Sequence, residues 1–176
     1  NLKIFGPTKR AADLEGSKAF SKKFMLENGV RTAKAEIFDS YVLAKEYVQT
    51  QKYPLVVKAS GLAAGKGVVI CEDIEHAEAT LHQFMIDKIF GDAGIKVVIE
   101  QFLKGFEASV IAFWNGKQAF PCVSAKDYKK IGNGDTGLNT GGMGTVAPSP
   151  EFTAEHLADF EKNILEPTVK GIKDNA

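Results

Sequence analysis

Arginine is nearly absent from this chain of 176 residues: among its 22 basic residues only Arg10 and Arg31 carry a guanidinium. Duplex nucleic acid is read largely through arginine forks, so this scarcity disfavours it as a ligand. An excess of either charge is missing too, because 22 lysines and arginines balance 22 aspartates and glutamates. A neutral chain has no general pull on polyanions or anionic membranes, although a local basic patch remains compatible with it. Cysteine is limited to Cys71 and Cys122, each isolated in an apolar, β-rich stretch. Without paired spacing they read as two buried, reduced thiols and not as a disulfide or a zinc site. No run approaches the roughly 20 apolar residues of a membrane span, and the first residues lack the pattern of a secretory leader. The expectation is a cytoplasmic protein. His76 and His82 lie six apart, off the spacing of a helical metal pair, and His156 stands at a helix start. Hydrolase spacings such as HExxH or a Ser/His/Asp set are absent.

What the chain does contain is ordinary for a globular protein: 44% hydrophobic and 10% aromatic residues. The length fits one domain, or two small lobes, with enough buried surface to need no metal or disulfide staple. It opens on Asn1 and stops at Ala176 straight after a helical pattern, and the expectation is a piece of a longer protein.

Periodicity gives an irregular alternation of helices and strands. Ser17 caps a helix with Phe20 and Phe24 on one face, and Gly29 stops it. A short strand at 34–38 precedes a helix opened by Asp39 or Ser40, with Leu43, Tyr47 and Val48 at helical spacing. Leu55–Ala59 and Gly67–Cys71 read as paired strands, and Asp73 caps a helix with Ile74, Ala77, Leu81 and Phe84 along one face. Strands follow at 96–101, 106–114 and 117–124, the last two joined at Asn115-Gly116, a strong hairpin signal. A polar, glycine-rich loop spans 125–147. Thr153 starts a last helix with Leu157, Phe160 and Ile164 inward, which Pro167 kinks. The hairpins are antiparallel, so the fold class is α+β and not a doubly wound parallel sheet.

Three stretches have the chemistry of a site. In Lys58-Ala-Ser-Gly-Leu-Ala-Ala-Gly-Lys-Gly-Val68 a strand delivers Lys58, and Lys66 sits among Gly61, Gly65 and Gly67. Glycines free backbone N–H groups to turn toward an anion, and lysines supply point charges for phosphate oxygens. It is not a Walker loop, because the glycines are too close, no hydroxyl follows the lysine, and a strand follows instead of a helix. In Glu100-Gln-Phe-Leu-Lys-Gly-Phe-Glu107 a strand ends in a linker whose backbone groups suit the edge of a base, with Glu107 placed for ribose hydroxyls. An ordinary pair of surface glutamates reads equally well there. Asp135-Thr-Gly-Leu-Asn-Thr-Gly-Gly-Met-Gly144, preceded by Lys126-Asp-Tyr-Lys-Lys130, offers a nest of backbone donors for phosphate or carboxylate.

Together with Phe5-Gly-Pro-Thr8, Leu14-Glu-Gly-Ser-Lys-Ala-Phe20 and Phe90-Gly-Asp-Ala-Gly94, these motifs resemble in content and order the glycinamide ribonucleotide synthetases (phosphoribosylamine–glycine ligases) of the ATP-grasp superfamily. The resemblance covers essentially the whole chain. It implies an ATP-grasp architecture, with a lead-in segment at 1–34, a small lid lobe at 35–104 and an incomplete large lobe at 105–176. It also implies ligation of glycine to 5-phosphoribosylamine through a glycyl phosphate, yielding glycinamide ribonucleotide, ADP and phosphate in purine synthesis. Lys18 and Lys58 then look like ATP-phosphate contacts, and Gly61 to Gly67, with Lys66, like the lid loop. Lys58 and Lys66 become the catalytic candidates. Glu100 and Leu103 would offer backbone groups to adenine, with Gln101 between them in the same site, and Glu107 would bind ribose. Asp127, Lys129, Asn139, Thr140, Gly141, Gly142 and Met143 would meet the substrates.

Tyr128 and Lys130 depart from the family's usual Gln-Asp-His-Lys-Arg, and Leu138 stands where proline is common. The family's magnesium ligands lie in a downstream acidic segment that has no counterpart before Ala176, so Mg2+ is expected to be bound outside this chain, which alone would be inactive. A non-catalytic nucleotide-binding module, or an ATP-grasp ligase with another substrate, remain alternatives.

Overall fold

The computed structural model describes residues 2–63, 65–134 and 136–174, apart from the side chains of Leu138 and Asn139. Two compact units divide the chain. The first comprises Asn1–Glu27 and Thr32–Leu103; the second comprises Asn28–Arg31 and Lys104–Ala176.

The first unit contains α1 (Lys9–Gly16), α2 (Lys18–Glu27), β1 (Ala35–Phe38), α3 (Tyr41–Val48), β2 (Leu55–Ala59), β3 (Val68–Cys71), α4 (Ile74–Met85) and β4 (Val97–Gln101). Side-chain oxygens accepting from free first-turn N–H groups set the helix starts. Thr8 caps α1, Ser40 caps α3 and Asp73 caps α4. The Ser17 hydroxyl accepts from the Phe20 N–H at 3.2 Å, as expected, while α1 itself was not expected.

The four strands form an antiparallel sheet in the order β1-β4-β2-β3. Alternation along β2 sends Leu55, Val57 and Ala59 into a core shared with Val97, Ile99, Ala44, Val48, Ala77, Leu81 and Phe84. Lys58 and Glu100 therefore stand on the opposite face. Their residues are diagonal neighbours, because Val56 pairs with Glu100 and Lys58 with Val98.

Of the two cysteines expected to be buried, Cys71 is buried and Cys122 is exposed, and the helical faces read from spacing are only partly covered. Phe24 is buried but Phe20 is 37% exposed; α2 buries Ala19 and Lys22 with Phe24 instead. In α3, Leu43 is 56% exposed while Ala44 and Val48 enter the core. Helical spacing fixes which residues share a stripe, and small residues at Ala19 and Ala44 decide which stripe can approach its neighbour.

The second unit contains β5 (Ala112–Trp114), β6 (Ala119–Pro121), β7 (Lys126–Gly132), β8 (Thr136–Val146), α5 (Ala154–Phe160) and α6 (Glu166–Asp174). The Asn115 carboxamide oxygen accepts from the N–H groups of Lys117 and Gln118, and Gly116 takes φ 89°, so the hairpin turns where expected. Its strands are shorter than 106–114 and 117–124. The expectation of a loop at 125–147 is overturned: β7 and β8 form an antiparallel ribbon with register shifts between Tyr128 and Gly132. Glycines at positive φ, Gly137 and Gly142, accommodate the irregular pairing. No alternation marks the ribbon in the sequence, because neither of its faces is buried deeply enough to impose one.

The last helix behaves as Pro167 dictates. Lacking an N–H, Pro167 leaves the Asn163 carbonyl without its helical donor. A π-turn, Glu161–Leu165, lies just before it, and the Arg31 N–H donates to the Asn163 carbonyl at 2.9 Å. Arg31 also pairs with Asp159. Leu157, Phe160 and Ile164 are not fully buried, so the inward stripe expected there is only half covered.

Candidate functional site

On the free face of the sheet lies an open cleft of about 760 Å³. Lys58 from β2 and Glu100 from β4 line its floor, Lys18, Ser21, Lys22 and Met25 its α2 wall, and Leu62, Ala63 and Gly65 its loop. The start of α2 is fastened to the end of β2: the Lys18 N–H donates to the Ser60 carbonyl at 2.7 Å, and the Ala19 N–H to the Ser60 hydroxyl at 3.1 Å. The Lys18 ammonium donates to the Gly61 carbonyl at 3.1 Å. Gly61 itself lies against Ala93, where a Cβ would come within 2.7 Å of the Ala93 Cα. That close approach requires glycine. Gly65 takes φ 76°.

A single carboxylate organises the floor. One oxygen of Glu100 accepts from Lys58 at 2.6 Å, and the other pairs with Lys22 at 3.0 Å. Lys22 also donates to the Thr32 hydroxyl at 2.6 Å and the Ala33 carbonyl at 3.2 Å. Burial pushes the Lys18 ammonium below its ordinary pKa, and the charge of Lys58 pushes the same way, partly offset by Glu15. An anion in the cleft would relieve that cost of charging Lys18. The cleft is suited to phosphate.

The structure thus brings together Lys18, Lys58, Gly61 and Glu100, with Gly65 on the rim. Lys66 is exposed on the loop and does not line the cleft; its N–H donates to the Ala63 carbonyl. Gly67 is buried, and its carbonyl accepts from the Ala59 N–H at 2.8 Å. Gln101 and Leu103 follow Glu100 at the end of the first unit, both exposed. Glu107 belongs to the second unit, where Lys129 donates to it at 3.4 Å between exposed side chains. In the ribbon the Thr140 hydroxyl donates to the Lys129 carbonyl and accepts from the Gly142 N–H, and Gly142 lies against the Asp127 carboxylate. Gly141 and Met143 are exposed beside them. Asp135 lies outside the described residues, and Asn139 is described by its backbone alone, paired with Lys130. Sequence reasoning missed Lys22 and Ser60. A lysine four residues after Lys18 reads as one more solvated charge, and no local signal marks its carboxylate partner.

Among the described residues no group of three or more His, Cys, Asp or Glu is arranged to hold a metal ion, and no helix is long and apolar enough to cross a membrane.

Residues 16–176 match the family model of the phosphoribosylglycinamide synthetase ATP-grasp (A) domain. The chain is similar to the phosphoribosylamine–glycine ligase of Fusobacterium nucleatum, 54% identical over 173 residues that make up 98% of this chain and 41% of that protein. It is 51% identical to the enzyme of that name from Clostridium acetobutylicum, again over 173 residues, 98% of this chain and 42% of the relative. A crystal structure of phosphoribosylamine–glycine ligase from Thermotoga maritima superposes with a TM-score of 0.88 at 35% identity, covering 98% of this chain and 44% of that one. The chain therefore spans about two fifths of the length of the curated relatives it matches.

Proposed function

Because the chain belongs to the phosphoribosylglycinamide synthetase ATP-grasp (A) domain family, we propose that its lysine-lined cleft is the phosphate end of an ATP site in a phosphoribosylamine–glycine ligase. The α+β fold is an ATP-grasp fold. The observation that carries the reading is the pair Lys18 and Lys58, both in one cleft beside a glycine loop and tied to it through Gly61 and Glu100.

In this reading Lys18 and Lys58 neutralise phosphate oxygens, and Gly61–Gly67 with Lys66 closes over them. Backbone groups of Glu100 and Leu103, with Gln101 between them, meet adenine, and Glu107 meets ribose. The ribbon residues Asp127, Lys129, Asn139, Thr140, Gly141, Gly142 and Met143 receive glycine and 5-phosphoribosylamine. The chain's own contribution to catalysis is positioning and charge neutralisation at the transferred phosphoryl group. Bound ATP supplies that group, which activates the glycine carboxylate for attack by the amine. The lobes are proposed as 35–104 and 105–176, supported by the division between Leu103 and Lys104, with 1–34 as the lead-in. Magnesium is proposed to take its carboxylate ligands from outside these residues, and a cytoplasmic location accompanies the assignment.

The test is calorimetric titration of the chain with ADP. Lys58→Ala should weaken binding at least tenfold while the thermal midpoint stays within a few degrees; unchanged binding would refute the site. Glycine- and phosphoribosylamine-dependent ADP release is expected to be absent from this chain alone. Robust release would overturn the assignment of magnesium to a segment outside it.

A further inference from the structure

Lys22 is 2% exposed, yet it is a lysine inside a helix that faces a sheet. A buried ammonium is costly unless its donors are all used. Here the Thr32 hydroxyl, the Ala33 carbonyl and one oxygen of Glu100 take them. Glu100 in turn spends its other oxygen on Lys58, whose side chain is 27% exposed and borders the cleft. The three groups form a line in which charge alternates: a buried cation, a shared carboxylate and a cation within reach of ligand.

The charge balance of that line has a functional consequence. Lys58 and Glu100 alone sum to zero, and a carboxylate 2.6 Å from the lysine would repel any phosphate that approached it. With Lys22 on the far oxygen the trio carries a net positive charge, and Lys58, its side chain 27% exposed against 11% for Glu100 and 3% for Lys22, is the member most open to the cleft that all three line. We propose that Lys22 is a positioning residue for the ligand-binding lysine: it holds the far oxygen of Glu100, fixes the carboxylate's orientation, and leaves Lys58 a net cation available to phosphate. This role rests on the reading that the cleft binds nucleotide phosphate, and it assigns Lys22 no contact with nucleotide.

The alternative is that Lys22 merely fastens α2 to the sheet. The two differ in how Lys22 and Glu100 combine. If Lys22 acts through Glu100, its removal matters only while Glu100 is charged. ADP affinity of the chain, measured by calorimetry for Lys22→Met, Glu100→Gln and the double variant, separates them. K22M is expected to weaken ADP about tenfold, within the range of coupling found in shared ion-pair networks. In the E100Q background the same change should cost less than about twofold, because Lys58 no longer needs a counter-balance. An equal loss in both backgrounds would overturn the proposal and make Lys22 structural. So would unchanged affinity of K22M beside a crippled K58A.

Should K22M fail to fold, the double variant still leaves no buried charge unpaired. Its comparison with E100Q alone carries the test, a tenfold gap between them counting against the proposal. Lys58→Ala runs alongside as the control on the site. If K58A binds ADP normally, the nucleotide reading itself fails and the role of Lys22 with it, an outcome distinct from failure at Lys22 alone.

Discussion

The sheet of the first unit and the ribbon of the second both use glycine and lysine, but they hold their side chains by different means. In the sheet, Lys58 is placed by strand register, by a core packed beneath it and by a carboxylate that is itself anchored. In the β7–β8 ribbon, Lys129 donates to an exposed Glu107, and Asp127 is backed by a glycine at φ 124°. Pre-organisation comes from packing in one region and from backbone hydrogen bonds in the other. A group held by packing keeps its place without a ligand; one held at an exposed ribbon gains much of its order when a partner binds. In the function proposed above, that difference would set a standing phosphate site apart from a substrate site that completes itself on loading.

The largest test of the contrast is in the packed interior. Phe84→Ala, beneath the sheet, should cost about 3–5 kcal/mol in chemical denaturation. Ile131→Ala in the exposed ribbon should stay within about 0.5 kcal/mol. Comparable losses would mean the ribbon has a core of its own.

A smaller effect is expected from glycine. Gly61→Ala forces Ala93 to move and should destabilise by about 1–3 kcal/mol, as overpacking does. At Gly141 a new Cβ meets nothing within 4 Å, so Gly141→Ala should change stability by about 0.5 kcal/mol or less. Thermal midpoints of the two variants decide the matter.

The smallest belongs to Tyr53, whose hydroxyl donates to the Val48 carbonyl at 3.0 Å. Burial first, then the negative charge of nearby acidic groups, pushes its phenol up to about 12. A folded-state value above the unfolded one, about 10, stabilises fully below that pH and is lost as pH rises toward the folded value. Tyr53→Phe should therefore cost about 1 kcal/mol near neutral pH, and the gap to the parent should narrow above about pH 10. A gap independent of pH would remove the phenol from the account.

Much of this was legible along the chain. The β2–β3 pair, the capped α4 and the turn at Asn115-Gly116 announce themselves, because local propensity and burial agree there. Lys58 is marked by the glycine loop that follows it, and Lys18 by the family resemblance alone. The ribbon reads as a loop, because exposed strands rich in glycine leave no alternation along the chain. Phe20 shares a helical face with Phe24, and Leu43 with Tyr47, yet both are exposed, because periodicity identifies a face without saying which residue on it lets a neighbour close in.

By itself, the sequence determined the α+β class and the family and singled out Lys58 beside its glycine loop, since each depends on residue types at short spacing. Tertiary structure alone decided what surrounds Lys58. Lys22 and Glu100 meet because α2 docks on Ser60 and β4 pairs with β2 in one register. A shift of that register by one residue would turn Glu100 to the other face, and nothing local to either residue specifies the register.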